Sequence, residues 1–210
     1  MGAVADGAGE QPALRDEPAS WPVRSSGDLH RDGWVVALRE DRIQRPGHPE
    51  EEPFRRVVLE HPGAAVILAV DDEERVLCLW QYRHAAQTRF VELPAGLLDV
   101  DGEEPVDVAR RELVEEAGYE AQEWTHLVST YSSPGISEEL AHIYLARGLR
   151  EVGRGDFVPA HEEAEMETGW VAFDDMVEAV LDGRLRDAPV VIAVLAAHAR
   201  GLAGSARASR

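Results

Sequence analysis

The chain has 210 residues, 44% of them apolar, and a formal net charge of −19. That length suits one domain or a domain with a small appendage, and that apolar content is enough for a real core. No apolar run approaches the length of a membrane span, and the acidic balance argues against binding nucleic acid through its phosphates.

Cys78 is the single cysteine, so no intrachain disulfide can form. It stands in an apolar stretch and reads as a reduced core thiol. With no secretory leader pattern in view, the expectation is a cytoplasmic protein. Every basic residue other than histidine is arginine, and lysine is absent.

Residues 1–20 hold little that could pack, and disorder is expected there. Residues 21–62 read as an N-terminal β-region. WVVALREDRI from Trp34 and FRRVVLEHP from Phe54 are its strands, separated by a polar turn rich in Pro, Gly and Glu. Two strands alone cannot bury enough surface to be stable, so they must pack on the rest of the chain or on a second copy. GAAVILAVD from Gly63 and RVLCLWQYR from Arg75 read as a further pair joined by DDEE. Their continuous apolar runs suit strands buried on both faces.

The stretch ELPAGLLDVDGEEPVDVARRELVEEAGY, Glu92–Tyr119, reads as a strand end, a glycine loop and a helix. Pro105 near the first helical position and Gly118 as the stop set the helix limits. Val106, Ala109, Leu113 and Ala117 predict its buried stripe. Glu112, Glu115 and Glu116 then share another face, since residues three and four apart are helix neighbours. Such a face is more often merely solvated. Crowded carboxylates also suit a hard cation, because Mg2+ takes one or two of them and keeps positions for water and phosphate. Downstream, QEWTHLVSTY, ELAHIYLARGL and METGWVAF read as strands. VAFDDMVEAVLDG and APVVIAVLAAHARGL read as helices, and residues 204–210 as a frayed tail. Buried strands alternating with amphipathic helices predict an α/β fold, a mixed sheet covered on both faces.

Arg111, Glu112, Leu113, Glu115, Glu116, Gly118 and Tyr119, with Glu103 and Gly96 before them, resemble the box of the Nudix hydrolase superfamily, G-x5-E-x7-R-E-U-x-E-E-x-G-U. One departure exists: six residues rather than five separate Gly96 from Glu103. An extra loop residue costs little. Pro134 after the box, the QYRH run (Gln81–His84) before it and the HEEAEMETGW run from His161 resemble the ADP-ribose pyrophosphatase branch.

The resemblance implies an α/β/α sandwich over residues 63–203, a small N-terminal β-region before it, and a homodimer that exchanges this region. It implies Mg2+, with Mn2+ as a substitute, held by Glu112, Glu115, Glu116 and the Ala95 carbonyl. It also implies a small nucleotide substrate, ADP-ribose, cleaved to AMP and ribose 5-phosphate. Arg111 would orient the glutamates, Arg83 would meet phosphate, and Glu163 (with Glu162 beside it) would act as general base. Glu139 is the alternative base or a ligand for the ribose hydroxyls. Glu92 is a further substrate contact, and Trp34 a platform for adenine. A different nucleoside diphosphate sugar or dinucleotide as substrate, or a non-catalytic ADP-ribose sensor, stays open beside this reading.

Overall fold

The computed structural model describes residues 14–155 and 165–205. Its N-terminal part is a three-stranded antiparallel sheet of β1 (Val23–His30), β2 (Ala37–Ile43) and β3 (Phe54–Glu60), in that order. β1 was not legible: VRSSGDLH has no apolar alternation, and the strand is exposed along its length. Trp34 lies just before β2, which starts at Ala37 rather than Trp34.

Behind it are β4 (Ala64–Ala69), β5 (Arg75–Arg83), β6 (Thr88–Glu92), β7 (Ala95–Leu97), helix α1 (Pro105–Ala117), β8 (Tyr119–Tyr131), β9 (Leu140–Glu151), β10 (Glu167–Ala172), α2 (Phe173–Leu181) and α3 (Ala188–Ala199). They form two sheets, ordered β7-β4-β9-β8 and β10-β5-β6. β4 and β9 run parallel, with Ala64 opposite Ala141, and the other pairings are antiparallel. The expected β4–β5 pair is therefore corrected. β4 takes β7 and β9 as neighbours, and its link to β5 is a single bridge, Val70 to Val76.

Strand alternation sorts the core into two layers. Val66, Leu68, Val70, Val76 and Cys78 face α2 and α3, while Ala65, Ile67, Ala69 and Leu77 face α1. The expected α/β/α sandwich is what forms. On α1 the buried stripe is Val108, Ala109 and Leu113, with Val106 and Ala117 only half-buried. Gly118 ends the helix at φ 77°, its N–H donating to the Leu113 and Val114 carbonyls, a conformation that glycine adopts without strain.

A second lock joins distant parts of the chain. Buried Arg147 on β9 donates through both Nη atoms to Glu74, at 2.9 and 2.8 Å, and to the Leu202 carbonyl at 2.9 Å. The Gly204 N–H also donates to Glu74, at 2.8 Å.

Leu113 fixes the helix that carries the box and is fully buried. Leu113→Ala is expected to lower unfolding free energy by about 2–5 kcal/mol, measured by urea denaturation. A loss under about 1 kcal/mol would mean that the α1 layer collapses around the gap.

Candidate active site

The polar face of α1 gathers carboxylates around one cation. Arg111 Nη1 donates to Glu112 Oε1 at 2.6 Å and to Glu115 Oε2 at 3.3 Å. Its Nη2 stands 3.5 Å from Glu103 Oε2, an oxygen that is buried and accepts no hydrogen bond among the described residues. One guanidinium thus serves three carboxylates. Burial pushes the Glu112 carboxyl above its usual range, and the charge of Glu115 adds to the effect, while Arg111 opposes it.

β7 lies against this face. Gly96 sits within that strand rather than in the expected loop, so the additional residue of the Gly96–Glu103 spacing falls after it. A Cβ on Gly96 would overlap the Glu112 carboxyl group. The Glu112 side chain can occupy this place only because Gly96 carries none. Next to it, the Ala95 N–H donates to Glu116 Oε2 at 2.9 Å. A half-buried carboxylate with a raised pKa, a buried carboxylate oxygen without a hydrogen bond among the described residues and further carboxylates beside them fit a hard divalent ion, which takes oxygen ligands.

On the neighbouring sheet, Arg83 makes a two-point clamp with Glu92: Nε to Oε1 at 2.9 Å and Nη2 to Oε2 at 2.7 Å. Glu92 is buried on β6. The clamp raises the Arg83 pKa further, and the charges of Glu116 and Asp187 act in the same direction. The clamp leaves Nη1 free of this contact, ready for an anion such as phosphate.

Asp187 was missed in the sequence. It caps α3, its Oδ2 accepting from the Val190 N–H at 3.1 Å. An Asp-Ala-Pro start before an apolar run signals such a cap. Its chemistry is tertiary. Burial pushes its carboxyl from 3.8 to about 6; the Val190 N–H and Arg83 oppose this, and the charges of Glu92 and Glu139 add to it. Glu139 is half-buried just before β9, its N–H donating to Ser137 Oγ at 3.1 Å.

The structure therefore brings Ala95, Glu112, Glu115, Glu116 and Arg111 together, and sets Arg83, Glu92 and Glu139 within electrostatic reach of Asp187. It leaves Trp34 69% exposed, with its backbone N–H donating to Asp32 Oδ1 at 2.8 Å. Glu162 and Glu163 lie outside the described residues. Among the described residues, the His, Asp and Glu ligand atoms that converge within 4.8 Å belong to His48, Glu50 and Glu51, on the exposed β2–β3 loop and not in the box.

A family model described as NUDIX domain matches residues 59–194. The chain belongs to the Nudix family. It is 45% identical over 175 residues to an ADP-ribose pyrophosphatase of Mycobacterium tuberculosis, covering 83% of this chain and 82% of that protein. It is 35% identical over 168 residues to an ADP-ribose pyrophosphatase of Bacillus subtilis, covering 77% of this chain and 84% of that one. A solved structure titled as an ADP compounds hydrolase superposes with a TM-score of 0.68 at 18% identity, covering 90% of this chain and all of that one, and so shares the Nudix fold. Nudix hydrolases generally use divalent metal ions, in keeping with the carboxylates on α1.

The raised Asp187 pKa carries a sign that can be checked. Its folded-state value of about 6 exceeds the ordinary 3.8, so its contribution is fully present below about pH 4 and is lost as pH rises through about 6. Asp187→Asn keeps an acceptor for the α3 cap and removes that loss. In metal-free buffer the variant is expected to exceed wild type in stability at pH 7.5 by on the order of 1–2 kcal/mol. The gain should shrink towards pH 4.5, read from denaturant midpoints. An equal gain at both pH values would refute the assigned cause.

Proposed function

We propose that this Nudix enzyme hydrolyses the pyrophosphate link of ADP-ribose to AMP and ribose 5-phosphate, with Mg2+ as its metal. The observation that carries this is the pairing of two charge sets: the metal-fitting carboxylates of α1, and the Glu92-held guanidinium of Arg83 within electrostatic reach of Glu116. A pyrophosphate needs both kinds of partner. The 45% identity to a protein named for this activity supports the choice of substrate.

In this reading Glu112, Glu115, Glu116 and the Ala95 carbonyl hold Mg2+, which when bound neutralises pyrophosphate charge and acidifies a water ligand. The chain's own residues supply positioning, which is most of what phosphoryl chemistry asks of a protein. Arg111 restrains the glutamate side chains against their mutual repulsion. Glu92 holds the guanidinium plane of Arg83, so that its remaining N–H groups meet phosphate oxygens in one orientation. A carboxylate accepts the proton of the attacking water; Glu163 fills that role by resemblance and Glu139 is the alternative.

We also infer a cytoplasmic homodimer joined through the N-terminal sheet. Trp21, Val23, Leu29, Trp34 and Val35 are all exposed on or beside that sheet. Apolar groups gathered in this way mark an interaction surface, and Trp34 would reach adenine across it.

Product analysis after incubation with ADP-ribose, with and without Mg2+, tests the activity beside a panel of nucleoside diphosphate sugars and dinucleotides. Metal-dependent AMP formed fastest from ADP-ribose is the expected result; cleavage of another panel member alone would replace the substrate, and binding without cleavage would favour a sensor. Glu116→Gln is expected to lower turnover at least about a hundredfold with an unchanged melting temperature, and retained metal-dependent turnover would sink its assignment. Glu163→Gln should reduce kcat far more than it raises KM.

A further inference from the structure

The segment that carries Glu139 is tied to the N-terminal sheet. Leu59 on β3 donates its N–H to the Ile136 carbonyl at 2.7 Å, and its own carbonyl accepts the Glu138 N–H at 3.1 Å. Together these make a parallel bridge between Leu59 and Ser137. A side-chain tie lies beside it: Arg39 Nη2 on β2 donates to Glu138 Oε1 at 2.9 Å, across 99 residues of sequence.

Arg39 is itself held from two other sides. Its Nε bonds both Asp41 oxygens at 3.1 Å, and its Nη1 bonds Glu60. Asp41 is buried and also accepts from Ser26 Oγ at 2.6 Å, while Glu60 also takes Arg31. A rigid planar fork fixed at two edges has little freedom left at the third. Partly exposed ion pairs contribute little to global stability. The weight of this arrangement is geometric: it decides where Glu138 stands.

Glu139 follows directly. Neighbouring side chains in an extended segment point to opposite sides, so anchoring Glu138 on the N-terminal sheet turns Glu139 the other way. The Glu139 charge is one of those acting on Asp187 at the α3 cap, where the Arg83 charge acts too.

We propose that Arg39 is a positioning residue for the pyrophosphatase reaction, acting through Glu138 to present Glu139 to the substrate beside Arg83. This rests on the functional reading above. The N-terminal sheet is then a working part of the site.

The test is a double-mutant cycle in steady-state kinetics on ADP-ribose with Mg2+, using Arg39→Met, Glu139→Gln and the double variant. Arg39→Met is expected to lower kcat/KM about three- to tenfold in the wild-type background. It should cause no further loss once Glu139 is glutamine, because its route has been removed. Losses that multiply in the double variant, or no loss on Arg39→Met, overturn the proposal. Glu138→Gln, an exposed change, runs through the same cycle and keeps the test decisive if Arg39→Met fails to fold. A wild-type chain without turnover overturns the functional reading first, and this inference with it.

Discussion

The tightest place among the described glycines is that of Gly96, where the Glu112 carboxyl group lies in the space a side chain would fill. It fixes where the Glu112 carboxyl group can stand, and much else follows. β7 must pair with β4 to be held there, and β4 must be buried on both faces to carry β7 on one edge and β9 on the other. α1 must bury Val108, Ala109 and Leu113 on the sheet so that its acidic face turns towards the glycine. A methyl group in place of one hydrogen would push the Glu112 carboxyl group off this place.

That constraint makes an electrostatic problem. Carboxylates crowd one side of α1, burial disfavours the charge on Glu112, and Arg111 alone among the nearby cations is spread over three of them. A helix serving only stability would replace such residues. Keeping them makes sense where a cation completes the set. On the neighbouring sheet the logic is reversed: Arg83 meets a carboxylate that holds its plane and leaves part of the fork open. One wall wants positive charge and the other offers it, which is the pattern a metal-bridged phosphate satisfies.

How much of this could be read from residues alone varies with the reach of the interaction. The limits of α1 were legible, because Pro105 and Gly118 are local signals, while of its buried stripe Ala109 and Leu113 were read and Val108 was not. The sandwich was legible as a class. Strand partners were not. The parallel pair of Ala64 with Ala141 depends on contacts across most of the domain, whereas adjacency wrongly suggested β4 with β5. The place of Gly96 within a strand escaped because its reason is the Glu112 side chain and not a turn. Asp187 escaped because burial and the charges of Glu92 and Glu139 shift it, and none of those is near in sequence. The exposure of Trp34 was not legible either, since aromatic character alone does not tell core from surface.

The Arg147 lock carries a consequence for the order in which the chain is made. Its guanidinium on β9 is inserted between Glu74 in the β4–β5 turn and the carbonyl of Leu202, and Gly204 then closes on Glu74. A chain emerging from the ribosome presents Arg147 and Glu74 well before Leu202 and Gly204. During that interval a charged group meant for the interior lacks one of its acceptors and is held back by its own hydration. The sandwich can therefore close fully only once Leu202 and Gly204 have been made, so that α3 and the residues after it stitch together a nascent fold whose central strands have long been waiting.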